Sequence, residues 1–166
     1  MTTTPGPDVS EFRIEKTRSD ATITLASGDT VRGCFFVAGS SARSAGPERV
    51  GDLLNAESDF FPFEIHEGSL RRTSLFNRNQ VVTVTLSENE ARQDPGYDVA
   101  TRRAVSLRLS NGHRLAGSVR VYRPEGRDRL SDWARHPDQF RYVEADKSTF
   151  LVNVAHVIDV HEVSPT

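Results

Sequence analysis

The chain repeats itself, and this constrains its fold more than any other feature. Ile23-Thr-Leu-Ala-Ser-Gly28-Asp-Thr-Val-Arg-Gly33 aligns without a gap on Leu107-Arg-Leu-Ser-Asn-Gly112-His-Arg-Leu-Ala-Gly117. Downstream, Arg49-Val-Gly-Asp52 aligns with Arg129-Leu-Ser-Asp132, and Asp59-Phe60 with Gln139-Phe140. Leu75-Phe76-Asn77 and Val81-Val82-Thr83-Val84 fall on Leu151-Val152-Asn153 and Val157-Ile158-Asp159-Val160. The offset shrinks from 84 to 80 to 76 residues, which places two short deletions of the second copy in loop positions. One supersecondary unit is therefore used twice. The 166 residues suit two small units.

Each copy reads as strands. Ala21, Ile23 and Leu25 alternate with Thr22 and Thr24, the period of a half-buried strand. Ser27-Gly28-Asp29 and Asn111-Gly112-His113 are tight-turn sequences, and second strands follow at 31–37 and 115–122. Gly33 and Gly117 recur inside those second strands, where glycine marks a bulge or a bend. A helical turn is expected near Pro47-Glu48 in the first copy and over 129–135 in the second. Three more strands complete each copy, at 60–66, 70–76 and 81–86, and at 140–143, 148–152 and 156–160. The expected fold is all-β: two tandem five-stranded SH3/Sm-like barrels, each with a short helical turn. The division is a flexible tail at 1–10, a first repeat at 11–86, a linker at 87–102 and a second repeat at 103–166. Phe12 and Ile14 add an edge strand over 11–18.

The hairpin pattern, apolar-x-apolar-x-x-Gly followed by apolar-x-Gly, resembles the start of the Sm-like barrel. Residues 76–84, Phe-Asn-Arg-Asn-Gln-Val-Val-Thr-Val, resemble its closing strand. The Arg-x-x-Asp turn followed by Phe61-Pro62-Phe63 is also similar to a bacterial family that brings no assigned activity. RNA-binding Sm-like proteins carry an Asp and an Asn just after the second strand and an Arg-Gly pair before the last. Here Asp52 and Asn55 follow an inserted loop, Asn77-Arg78 replaces the Arg-Gly pair, and the second copy has Asn153-Val154. The resemblance thus implies the barrel more than it implies RNA binding.

A net charge of −2 sets up no general field for nucleic acid or an anionic membrane. No apolar run approaches the roughly 20 residues of a membrane span, and residues 1–10 lack the basic and apolar regions of a signal peptide. The single cysteine, Cys34, excludes an internal disulfide, so a cytoplasmic location is expected.

Catalytic patterns are thin: no nucleophile elbow, phosphate-binding loop or His-Glu-x-x-His pair is present. Cys34 reads as a small semi-buried side chain, with Ser118 as its counterpart. His66, His113, His136, His156 and His161 read as surface groups, so no metal and no cofactor is expected. Arg71-Arg72, Arg102-Arg103 and the run 123–129 are basic clusters, and Arg71, Arg72 and Arg78 are the candidate anion contacts. The recurring Arg49/Asp52 and Arg129/Asp132 pairs, three residues apart, can meet on one helical face. With Leu53 and Trp133 beside them they form a candidate lid or partner surface over one barrel end, Trp133 packing near Phe140 or Tyr142. The sequence therefore points to a non-catalytic binding or scaffold protein acting through protein partners, with self-association compatible. The alternative is an RNA- or nucleotide-binding barrel.

Overall fold

The computed structural model describes residues 16–41, 43, 46–56, 58–124, 126 and 129–164. The tail expected at 1–10, and Phe12 and Ile14, lie outside them. In chain order the first copy comprises β1 (Lys16–Leu25), β2 (Thr30–Ala38), α1 (Val50–Leu54), β3 (Phe60–Glu67), β4 (Leu70–Asn77) and β5 (Val81–Leu86). The second comprises β6 (Thr101–Leu109), β7 (Arg114–Val121), α2 (Leu130–Ala134), β8 (Phe140–Glu144), β9 (Thr149–Asn153) and β10 (Val157–Glu162). Both copies use the same devices. Gly28 and Gly112 take φ of 95° and 88° at the hairpin turns, a backbone region that glycine enters without steric cost. Gly33 and Gly117 serve close approach instead: a Cβ at Gly33 would lie 1.8 Å from the Glu64 carbonyl oxygen, and one at Gly117 2.7 Å from that of Glu144. Those contacts let β3 and β8 fold across β2 and β7.

The all-β expectation holds, but among the described residues ten strands form one antiparallel sheet that does not close, in the order β10-β6-β7-β8-β9-β5-β1-β2-β3-β4. Two separately closed five-stranded barrels would need β4 beside β5 and β9 beside β10. Instead β5 lies between β1 and β9, with Val84 opposite Leu151. The ladder of the first copy thus continues into the second.

Two hydrophobic cores result, and each borrows from the other copy. The first holds Ile23, Phe35, Phe61, Phe63, Val84 and Leu54 together with Phe140 and Leu151 from the second copy. The second holds Val105, Leu107, Val119, Trp133 and Val143 together with Val82 from the first. Val82 reaches it through a bulge: Leu25 faces Val81 and Thr24 faces Thr83, so Val82 is skipped in the β1 ladder. The segment expected as a linker at 87–102 is folded, with short 3-10 turns at Glu90–Gln93 and Tyr97–Val99, and Thr101 already belongs to β6. Glu90 and Ala91 are buried, so this stretch is part of the junction.

Candidate functional site

The recurring Arg-x-x-Asp motif is helix-capping chemistry. Arg49 and Arg129 are N-cap residues with extended backbone, which corrects the expected start at Pro47-Glu48. At the third helical position, Asp52 Oδ2 accepts the Arg49 N–H at 3.0 Å, and Asp132 Oδ2 accepts the Arg129 N–H at 3.0 Å. The side-chain pair expected in both copies forms in the first, where Arg49 Nη2 lies 3.3 Å from Asp52 Oδ1. In the second, Arg129 is exposed and Asp132 faces Arg135 at 4.0 Å.

Around α1 the two copies are clamped by groups that the periodicity did not mark. Glu90 accepts the N–H groups of Val50 and Gly51 at 3.1 and 2.9 Å and the Tyr142 hydroxyl at 2.9 Å. Burial pushes the Glu90 carboxyl up despite these donors. Burial, then the Glu90 charge, pushes the Tyr142 phenol up as well, so it remains a donor. Arg49 also bonds Asp94 and lies 5.6 Å from the Tyr142 ring centroid. Burial works against the Arg49 cation, but Tyr142, Asp94 and Asp52 together hold it charged. Burial alone would raise Asp52; the backbone N–H and guanidinium of Arg49 outweigh it and hold the carboxyl below the ordinary range. Across the junction, Glu144 accepts from Asn89 at 2.9 Å, from Arg120 at 3.2 Å and from the Tyr97 hydroxyl. Those bonds overcome its burial and lower its pKa.

These residues surround a cavity of about 280 Å³ whose lining includes Arg49, Asp52, Arg120, Trp133 and Tyr142. Of the expected lid surface, Arg49, Asp52 and Trp133 meet there with Phe140 and Tyr142. Arg129 and Asp132 do not line it. Trp133 packs in the second core beneath the Arg141 guanidinium, 4.9 Å from its ring centroid. Arg141 itself donates to the carbonyls of Trp133, His136 and Asp138, closing the end of α2. Chemically the cavity is aromatic-walled and internally neutralised, with Arg49 matched by Asp52 and Asp94, and Arg120 by Glu144.

The candidate anion contacts are dispersed. Arg78 donates to the carbonyls of Leu54 and Ala56 at the end of α1, so it acts as a helix C-terminal brace. Arg71 and Arg72 lie exposed on β4, Arg71 donating to the Gly68 and Leu70 carbonyls and Arg72 facing Glu67 at 3.6 Å.

A second polar cluster lies on the outer face of β2 and β3. His66, expected as a surface group, is half-buried with Nε2 3.0 Å from Glu64 Oε1, and the same oxygen accepts from the Cys34 thiol at 3.8 Å. Ligand atoms of Cys34, Glu64 and His66 lie within 4.8 Å of one another, a spacing that can hold a metal ion. Arg18, 3.5 Å from Glu64, already supplies a positive charge. Burial, then the Glu64 charge, raises the Cys34 thiol, so it stays protonated. Sequence offered no signal for the trio, because Cys34 and Glu64 are 30 residues apart and become neighbours only through the β2·β3 ladder. Glu90 gave no signal, since it lies between the repeats, and Tyr142, expected only as a packing neighbour of Trp133, stands where the first copy has Pro62. One trace does exist, since Gly51 replaces the equivalent Ser131, and a Cβ at Gly51 would meet the Tyr142 hydroxyl at 2.4 Å. No protein-family model, curated protein or solved structure matches the chain.

Proposed function

We propose that this chain is a non-catalytic binding scaffold, a duplicated small β-module of the SH3/Sm-like kind that acts through protein partners. The β4 edge carries the reading. Leu70–Asn77 pairs with β3 on one side and with no described strand on the other, and Leu70 and Leu75 are exposed. A free row of backbone N–H and C=O groups is a template for an added strand, with main-chain bonds supplying affinity and alternate side chains selectivity. Edge strands are commonly blunted by charge, proline or a bulge. Arg71 and Arg72 charge the beginning of β4, whereas residues 73–77 contain neither charge nor proline. The mutual neutralisation of the cavity's charged groups supports a role in holding the two modules together rather than in catalysis.

The test is a photo-cross-linking amino acid placed singly at positions 75, 71 and 72, expressed in the source organism, with exposed Val99 as the control position. Protease-sensitive adducts at position 75 and none at position 99 are expected. Absence of protein adducts, or nuclease-sensitive adducts at positions 71 and 72 in their place, would overturn the reading, the latter in favour of RNA binding.

A further inference from the structure

The junction inside the chain is a template for a junction between chains. β5 of the first copy pairs with β9 of the second: Thr83 opposite Val152, Val84 opposite Leu151, Thr85 opposite Phe150 and Leu86 opposite Thr149. The strands at the two ends of the sheet are β10 and β4. By the internal repeat, β10 is the counterpart of β5 and β4 is the counterpart of β9. Among the described residues, therefore, the same two edges that are joined in the middle of the sheet stand at its two ends without a partner strand.

Three buried side chains, Val82, Phe140 and Leu151, cross the internal junction into the core of the other copy, and the partly buried Tyr142 packs against the first core beside them. The three buried ones are 0%, 2% and 0% exposed. Their counterparts are Ile158, Phe60 and Leu75, which are 56%, 52% and 69% exposed. The local geometry is the same in each case. Ile158 is skipped where β10 bulges against β6, as Val82 is where β5 bulges against β1. Phe60 sits opposite Asn77 as Phe140 sits opposite Asn153. These side chains are thus held in the crossing orientation without a core to enter.

We propose that the partner at the β4 edge is the β10 edge of a second copy of this chain, so that copies add head to tail. This rests on the scaffold reading above and names its partner. Carrying the internal register over by 76 residues sets Asp159 opposite Phe76, Val160 opposite Leu75, His161 opposite Ser74 and Glu162 opposite Thr73. Ile158 then enters the first core of the next copy, and that copy's Phe60 and Leu75 enter the second core of the preceding one. Charge differs between the edges: β4 carries Arg71 and Arg72, the latter facing Glu67 at 3.6 Å, whereas β10 carries Asp159 and Glu162, which face Arg108 at 2.6 Å and Arg103 at 3.2 Å on β6. Two β4 edges, or two β10 edges, would bring like charges together. The Glu90–Tyr142 clamp has no counterpart, because Pro62 replaces Tyr142. The contact between chains is therefore weaker than the internal one and reversible. A head-to-tail contact closes into a ring if its rotation allows and otherwise grows as a filament.

Sedimentation velocity of the full chain over a concentration series tests the proposal. Mass above one chain is expected, rising with concentration. Leu75→Arg blocks one edge and Ile158→Asp the other, and each should weaken self-association by about tenfold or more. Mixed together they should form one-to-one pairs, since each keeps the edge that the other lacks. Unchanged Trp133 emission in each variant verifies folding. Should either variant fail to fold, Ser74→Cys mixed with His161→Cys should give an interchain disulfide on oxidation. A chain monomeric throughout, self-pairing of Ile158→Asp alone, or no pairing in the mixture would overturn the proposal. A monomer that still forms adducts at position 75 with other proteins would remove this inference and leave the scaffold reading intact.

Discussion

One oxygen of Glu90 accepts both the Tyr142 hydroxyl and the Gly51 N–H, each at 2.9 Å, so a single carboxylate joins the inter-repeat segment, the second copy and α1. Burial makes that contact costly to disturb, because Glu90, Val50 and Gly51 are buried and the two N–H groups freed of their acceptor would be left unsatisfied.

Tyr142→Phe should cost about 1–2 kcal/mol, and Glu90→Ala about 2–4 kcal/mol because it strands three donors. Chemical denaturation measures both. The raised Glu90 pKa also fixes a sign. A carboxyl whose pKa is higher folded than unfolded contributes most below its unfolded value, and that contribution declines as pH rises through the folded one. Measured against Glu90→Gln, which does not titrate, the parent should lose stability from about pH 4.3 upward. A difference that grows in favour of the parent over that range would refute the assignment.

Asp52 and Asp132 occupy the same capping position with different surroundings. Asp52 is buried and also accepts from Ser41 at 3.1 Å, whereas Asp132 is half-buried beside an exposed Arg135. Asp52→Ala should cost about 2–3 kcal/mol and Asp132→Ala about 1 kcal/mol or less. Because the Asp52 pKa is lowered in the folded chain, its contribution is complete above about pH 3.9 and fades as pH falls below that value. Asp52→Asn should therefore flatten the acid limb of a stability–pH curve. Equal costs for the two alanine variants would count against this account.

Trp133 is buried in the second core under Arg141. Its emission should be blue-shifted in the native protein and move red on unfolding, and Trp133→Ala should cost about 3–5 kcal/mol. The sequence has one tryptophan, so the fluorescence reports this site alone. Water-like emission from the folded chain would be incompatible with the packing described.

Gly33→Ala should be the more damaging of two equivalent substitutions. Its added Cβ would overlap the Glu64 carbonyl at 1.8 Å, while that of Gly117→Ala would meet the Glu144 carbonyl at 2.7 Å. Both obstacles are backbone, so β3 or β8 must move away. Melting temperatures should fall for both variants, further for Gly33→Ala, and a neutral Gly33→Ala would disprove the close approach.

Much of the secondary structure was legible in the sequence because its causes are local. Period-two alternation around Ile23 and Leu107, turn glycines at Gly28 and Gly112, and Asp52 and Asp132 three residues after a cap act over a few residues. The duplicated plan needed no tertiary information either. The Arg-x-x-Asp motif was legible as a pair, but its use was not: the donor to the aspartate that recurs is a backbone N–H.

What tertiary structure alone decided was which strand lies beside which. Phe60 and Phe140 sit in the same local pattern with the same cross-strand neighbour type, yet one is exposed and the other fully buried. Leu75 and Leu151 differ in the same way. Strand pairing joins residues distant in the chain, and a strand's own pattern says which face is apolar but not which edge will meet it. The route of β5 to β9 rather than to β4 therefore had to come from the assembled sheet. The same holds for Glu90 under α1 and for Cys34 beside Glu64, since both contacts are made by segments that only the folded ladder brings within bonding distance.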